Sequence, residues 1–258
     1  MNRIRRWPAE ALESQEASSR LARASFQLTS NRQAECALFA PHHYEPNYAY
    51  PLLVWLHGPG DDERQLRRIM PHVSLRNYVA VGPRGCCPPE PRETGFRWRQ
   101  AADAIEQAEQ RVFEAIDVAC RRYRVARDRI FVGGFQCGGT MALRIGLRFP
   151  QCFAGILSIG GSFPSSMAPL SQLRDIRHLP LLLAQGRDSE LYPMDVSCDE
   201  LRLFHAASLH VTLRQYPCGD ELTTQMLHDM DTWMMERIHG VMPETSTCAA
   251  SILPSEEN

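Results

Sequence analysis

Phe131-Val-Gly-Gly-Phe-Gln-Cys-Gly-Gly-Thr140 is the stretch whose reading decides the fold of this 258-residue chain. Its centre, Gly134-Phe135-Gln136-Cys137-Gly138, places small residues two positions before and two positions after the middle residue. A sharp strand-to-helix turn demands that spacing, because the backbones on both sides of the tip pass too closely for a side chain. When such a turn presents a nucleophile, the tip is Ser, Cys or Asp. Here it is Gln136. The stretch therefore specifies an architecture and leaves its chemistry open.

The same strand-to-helix grammar continues outward from the turn. Apolar, β-rich runs occur at Glu35–Phe39, Leu52–Leu56, Tyr78–Val81, Ile130–Gly133, Gly155–Ile159, Leu181–Ala184 and Val211–Tyr216. Runs such as Leu52-Leu53-Val54-Trp55-Leu56 are apolar on both sides and suit strands covered on both faces. Helical patterns fall between them at Ala104–Tyr123, Gly138–Phe149, Met194–Ala207 and Thr223–Ile238. In the first of these, Ile105, Ala108, Val112, Ala115, Ile116 and Ala119 share one face. Pro150 stops the helix that follows the turn. This alternation predicts an α/β fold with a mostly parallel central sheet, right-handed crossovers and helices on both faces. Residues 1–22 read as a polar arm, 23–240 as one α/β domain, and 241–258, rich in Ser, Pro and Glu, as a disordered tail.

Bulk composition narrows the partners. The chain is 44% hydrophobic and 22% charged, ordinary for one domain with a sizeable core. A formal net charge of -2 argues against a nucleic-acid partner. The nine cysteines are odd in number and include no C-x-x-C, so neither a disulfide framework nor a zinc site is expected and a reducing cytoplasm is. The basic, then acidic, N-terminus has no apolar stretch of the signal-peptide kind. No apolar run approaches the roughly eighteen residues of a membrane span.

Four ordered pieces together resemble the phospholipase/carboxylesterase branch of the α/β-hydrolases, which includes acyl-protein thioesterases and small bacterial esterases. The first is Leu56-His57-Gly58-Pro59-Gly60-Asp61-Asp62, similar to the branch's HGxGD strand-end loop. Next come Val81-Gly82-Pro83-Arg84-Gly85 with Phe96-Arg97-Trp98, and then the turn and helix Gly134–Leu143. The last is Tyr216-Pro217-Cys218-Gly219-Asp220-Glu221-Leu222, followed by a helix through Trp233. The resemblance spans about Pro51 to Ile238. It implies the α/β-hydrolase fold, carboxylic ester hydrolysis, a small acyl or ester-like ligand and no cofactor. It also implies a Ser-His-Asp triad with an oxyanion hole made of two backbone N–H groups.

Set against that implied machinery, this chain departs at four positions. Gln136 stands where the resemblance implies the serine, and an amide is no nucleophile. Asp220 stands where it implies the histidine, and a carboxylate lacks imidazole's two-ended relay. Ser189 stands where it implies the acid, with Asp188 and Glu190 on either side. The oxyanion donors fall at Cys137 and Pro59, and proline has no N–H. Losing one such donor typically costs on the order of 10²–10³ in kcat. Together with the retained frame, Gly134 and Gly138, these departures predict a non-catalytic homologue, a pseudoenzyme that keeps a ligand pocket or an interaction role.

Two substitutes compete with that expectation. Cys137 can be taken as the nucleophile, but this puts Phe135 where a small residue is needed. An Asp188/Asp220 pair can share a proton, with Gln136 hydrogen-bonding Asp220. His57 reads as a structural residue of its loop, and His228, His42 and His43 are remote in pattern from the turn. No H-x-x-x-H or H-x-H occurs, so no metal is expected. A dinucleotide-binding module is not expected either, because no G-x-G-x-x-G follows the first strand.

Overall fold

Strands β1 (Cys36–Phe39), β2 (Tyr50–Leu56), β3 (Val79–Pro83), β4 (Val125–Phe135), β5 (Gly155–Ile159), β6 (Leu181–Gly186) and β7 (Val211–Tyr216) form one sheet in the order β1-β3-β2-β4-β5-β6-β7. The structure is a computed structural model and describes residues 35–86, 95–165, 170–171 and 173–240. The described residues all belong to one compact unit. The arm expected at 1–22 and the tail expected at 241–258 lie outside the described residues.

Only β1 runs against its neighbour, pairing Cys36 with Pro83 and Phe39 with Ala80. The other five pairings are parallel, as the two-sided apolar runs predict. β2 is buried at every position. Its alternate residues serve two different cores. Leu52, Val54 and Leu56 face the layer that contains α2 (Ala102–Arg122) and α3 (Cys137–Arg148). Leu53 and Trp55 face the layer that contains α1 (Gln65–Val73) and α6 (Thr224–His239). Two shorter helices, α4 (Leu173–Ile176) and α5 (Met194–Ala206), lie on the α2–α3 side through Ile176 and Phe204. Helices thus cover both faces, as the sequence pattern predicts.

Two local readings need correction. β4 begins at Val125 rather than near Ile130, because Tyr50 pairs back to Val125 across an irregularity in the β2–β4 register. Helix α1 is absent from the sequence reading. Pro71 lies inside it and masks a clear i, i+3, i+4, i+7 pattern of buried residues, Leu66, Ile69, Met70 and Val73.

The β4–α3 joint leaves no room for side chains at its two flanking glycines. A Cβ placed on Gly138 would come 2.5 Å from the His57 carbonyl oxygen and closer still to that of Leu56. One placed on Gly134 would come 2.5 Å from the Gly138 carbonyl carbon and 2.7 Å from Leu56 O. In both cases the obstruction is backbone, which has no rotamer to yield. Gly138→Ala is therefore expected to lower stability by about 1–3 kcal/mol or more in urea unfolding. Gly219→Ala, where the nearest atom is the Glu221 carboxylate end at 3.2 Å, serves as the milder control. Equal losses in the two variants would contradict the close-approach account.

Candidate functional site

Gln136 is the single residue between β4 and α3. Its backbone sits at φ 47 and ψ -115, a region that side-chain-bearing residues rarely enter and that costs on the order of 1–3 kcal/mol. Two backbone hydrogen bonds hold it there. Gln136 N–H donates to Ile159 O at 2.7 Å, and Thr140 N–H donates to Gln136 O at 2.9 Å. The side chain, half-buried, turns to the loop after β7, where Nε2–H donates to the backbone oxygen of Asp220 at 2.8 Å.

Asp220 is the meeting point. Ser189 Oγ donates to its Oδ1, Glu190 N–H donates to Oδ2 at 3.1 Å, and Leu191 N–H approaches Oδ2 at 3.3 Å. Ser189 Oγ in turn accepts from Tyr192 N–H at 2.9 Å. The β6–α5 and β7–α6 loops are also joined by backbone, with Arg187 N–H on Tyr216 O at 2.8 Å and Asp188 N–H on Cys218 O at 3.0 Å. Gln136, Ser189 and Asp220, from three separate loops, are thus linked into one chain of hydrogen bonds. Gln136 does bond Asp220, but through the backbone carbonyl and not the carboxylate.

The Asp188/Asp220 arrangement gains nothing from this geometry. The Asp188 side chain is 67% exposed and stands 3.7 Å from Arg187 Nε. The Asp220 carboxylate is occupied by the Ser189 hydroxyl and two backbone N–H groups. Glu190 contributes its N–H alone.

The strand-end loop after β2 is closed from within. His57 is 1% exposed, and its Nε2 accepts from Gly85 N–H at 3.0 Å. That leaves Nδ1 as the protonated nitrogen, donating to Gly58 O at 2.8 Å. Burial pushes the His57 pKa below its usual value, outweighing the opposite pull of Gly58 O, Asp61, Asp62 and Glu63. Trp98 Nε1–H caps the His57 carbonyl at 3.1 Å. Gln65, which sequence reasoning missed, braces the loop. Its Oε1 accepts from Trp55 Nε1–H at 2.8 Å and from Gly58 N–H at 3.2 Å, while Nε2–H donates to Asp61 at 2.9 Å. The only signal for Gln65 was a polar residue on the buried face of α1.

The donors of this loop can be followed one by one. Gly58 N–H is held by Gln65, Pro59 has none, Gly60 N–H is on Phe96 O at 3.0 Å, and Asp61 N–H points to Gly58 O at 3.4 Å. Cys137, the other expected donor position, opens α3, where the first N–H groups have no intrahelical acceptor. Its thiol is half-buried among the N–H groups of Trp98 and Gly138. Burial nevertheless raises the thiol pKa, against those hydrogen bonds and the nearby Arg97. That is the reverse of what an activated cysteine needs.

Arg144, also missed, lies buried in α3. Its Nε–H donates to Gln100 Oε1 at 2.8 Å and its Nη2–H to Ser165 O at 2.9 Å, tying two loops to the helix behind Gln136. Among the described residues, no group of three or more His, Cys, Asp or Glu is placed to hold a metal ion. None of the described helices is long and apolar enough to cross a membrane.

The family described as Phospholipase/Carboxylesterase matches residues 45–238, well over half of the chain. The chain belongs to this family. A putative esterase, NocK, of Nocardia uniformis subsp. tsuyamanensis is 29% identical over 153 residues, covering 56% of this chain and 42% of that protein. A probable carboxylesterase, SOBER1-like, of Arabidopsis thaliana is 20% identical over 214 residues, covering 74% of this chain and 80% of that one. Among solved structures, Arabidopsis thaliana SOBER1 superposes with a TM-score of 0.63 at 20% identity over 74% of this chain and 100% of its own. Zea mays acyl-protein thioesterase 2 gives a TM-score of 0.63 at 16% identity over 80% of this chain and 100% of its own. The fold is that of the α/β-hydrolases, and within this carboxylesterase family the joint at Gln136 is the strand-to-helix turn.

Two measurements probe the site's supports. Because the folded-state pKa of His57 lies below 6.5, the unfolded chain takes up its proton first as pH falls. Stability is therefore full above that value and declines as pH drops toward the folded pKa. A pH series of urea unfolding is expected to show this decline, with a smaller slope in His57→Gln. An unchanged slope would mean that His57 is not the buried neutral imidazole described. Asp220→Ala leaves Ser189 Oγ–H and two loop N–H groups without their acceptor and is expected to cost about 1–3 kcal/mol. A loss near zero would show that the loops do not depend on this carboxylate.

Proposed function

We propose that this protein is a carboxylesterase-family member that does not carry out serine-type hydrolysis, and that it keeps the site as a pocket for a small acyl or ester-like ligand. The observation that carries this reading is the hydrogen-bond chain Ser189–Asp220–Gln136. The tip of the turn holds an amide whose Nε2–H is engaged on Asp220 O, and the Asp220 carboxylate is engaged on Ser189 and the loop behind it. Acyl transfer needs a lone pair at the tip, a base that takes its proton and returns it to the leaving group, and donors for the oxyanion. An amide nitrogen lone pair is delocalised into its carbonyl. A carboxylate already holding three donors has no reason to take up a proton from an amide. The strand-end loop has no free N–H from Gly58 to Asp61. What remains is the N–H at the start of α3, enough to orient a ligand carbonyl but not to stabilise a developing oxyanion by itself.

An active enzyme built on Cys137 is the competing reading, and the raised thiol pKa weighs against it. A reducing, cytoplasmic setting rests on the odd number of cysteines and the lack of a C-x-x-C in the sequence.

A panel of p-nitrophenyl esters and acyl thioesters is expected to show no turnover above background, and a fluorophosphonate probe no labelling. Turnover that disappears in Cys137→Ala would establish the competing reading, and stoichiometric fluorophosphonate labelling would refute the role given to Gln136. Binding of non-hydrolysed acyl amides, measured by calorimetry and weakened in Gln136→Ala, would support the pocket. A reversion series asks how much each departure matters. Gln136→Ser with Ser189→Asp and Asp220→His is expected to recover little activity. Adding Pro59→Leu, which supplies an N–H, is expected to raise it by on the order of 10²-fold. Full esterase activity from the triple variant would sink the role assigned to Pro59.

A further inference from the structure

Glu200, half-buried on α5, is a carboxylate with two donors and, among the described residues, no cation. Phe163 N–H donates to its Oε1 at 2.8 Å, and the Tyr192 hydroxyl donates to its Oε2. Tyr192 is buried, and the Phe163 ring packs edge-on against Phe204 of the same helix at 5.1 Å.

These contacts complete a closed circuit of hydrogen bonds that runs through the tip of the turn. Gln136 N–H holds Ile159 O at 2.7 Å, and Phe163 follows Ile159 by four residues. Phe163 is held by Glu200, and Glu200 by the Tyr192 hydroxyl. Tyr192 N–H donates to Ser189 Oγ, Ser189 to the Asp220 carboxylate, and Gln136 Nε2–H to Asp220 O, back at the tip. The stretch between Ile159 and Phe163 lies hard on that tip, for a Cβ on Gly161 would come 2.5 Å from Gln136 O. In this circuit Glu200 links the stretch after β5 to the loop after β6.

Two effects compete at this carboxylate. Its donors favour the ionised form, whereas removal from water without a cation favours the neutral acid. Burial is the larger effect and raises the Glu200 pKa above the usual carboxylate value. Tyr192 is the titratable group that faces it from the loop after β6, and the stretch after β5 presents the Phe163 N–H. Burial, then Glu200 itself, pushes the Tyr192 phenol up, so the phenol stays protonated and the carboxyl group titrates. A neutral Glu200 keeps Phe163 N–H on its carbonyl oxygen and turns its hydroxyl to the Tyr192 oxygen, since a phenol accepts as well as donates. Opening the circuit returns Glu200 to water and to its usual pKa. The closed form therefore binds the proton more tightly. Its advantage is full below the usual carboxylate value and is lost as pH rises through the raised one.

We propose that Glu200 is a proton-controlled tie of the candidate site, holding the stretch after β5 to the loop after β6 when neutral and slackening when ionised. As regulation of a ligand pocket it rests on the function proposed above, but the tie itself can be tested without a ligand.

Site-resolved hydrogen exchange on the full chain, corrected for the intrinsic pH dependence of exchange, reads local opening at the Phe163 and Tyr192 amides. Protection at both is expected to be severalfold higher at about pH 5 than at about pH 8. Glu200→Gln, a permanently neutral isostere, is expected to show the higher protection at both pH values, and Glu200→Ala the lower. The His57 effect has the opposite sign, weakening the fold as pH falls, so a change in global stability does not mimic this pattern. Wild-type protection that is independent of pH, or lower at the acid end, would overturn the proposal. So would Glu200→Gln exchanging like Glu200→Ala. If the exchange pattern holds but acyl amides do not bind in calorimetry, the pocket fails and the tie stands. If they bind and the pattern fails, the tie fails and the pocket stands.

Discussion

Everything at the candidate site follows from one crossing of backbones, where the first turn of α3 passes against the end of β2. Gly134 and Gly138 have no Cβ, and any would meet Leu56 O, His57 O or the facing glycine. That contact sets how steeply the chain must turn after β4. It also forces the residue between strand and helix to φ 47. The strain at Gln136 is thus a requirement of the α/β-hydrolase joint and is present whatever side chain sits at the tip. Strain is often read as the mark of catalysis. Here the same strain accompanies an amide, which separates the geometry of the turn from the reaction that the turn can serve.

Around that joint, polar groups are satisfied inward. A hydrolase site keeps certain groups underemployed, since a nucleophile, a base and two N–H donors must all be open to substrate. In this chain Gln136, Ser189, Asp220 and the strand-end loop are engaged with one another or with their own loops. Asp220 holds the β6–α5 loop by its carboxylate and Gln136 by its carbonyl. Gln65 holds Gly58 N–H, and Phe96 O holds Gly60 N–H. A net hydrogen bond contributes only about 0.5–1.5 kcal/mol, but a buried group left unpaired costs more. Polar groups satisfied by one another in this way therefore tend to favour stability.

The sequence disclosed the parts of this that depend on spacing and on the chemical inability of a residue. The glycine pair, the two-sided strands and the missing N–H of Pro59 are properties of residue types at fixed offsets. The ordered pieces also placed Gln136, Ser189 and Asp220 in loops expected to meet, and hydrogen bonds join those loops. What escaped was anything decided by where a long polar side chain turns. Gln65 and Arg144 look like ordinary helical residues in sequence, yet one braces the strand-end loop and the other ties two loops to α3. Helix α1 escaped because Pro71 hid an otherwise regular buried stripe. The bond from Gln136 to Asp220 was foreseeable as a pairing but not in its choice of the carbonyl, which depends on loop orientation alone.

That choice bears on what the proposed non-hydrolytic reading asks of each loop. If Gln136 bonded the Asp220 carboxylate, a serine at the tip would face a carboxylate base directly, and a single substitution would approach a working dyad. The amide meets the backbone oxygen instead, and the carboxylate is bonded to Ser189 and the N–H groups of Glu190 and Leu191. A histidine at position 220 would extend from that same backbone toward the loop now occupied by the carboxylate, and would need an acid at 189 to orient it. On the proposed non-hydrolytic reading, a return to a serine-type site would need a change in each of these loops, which are bonded to one another in their present arrangement.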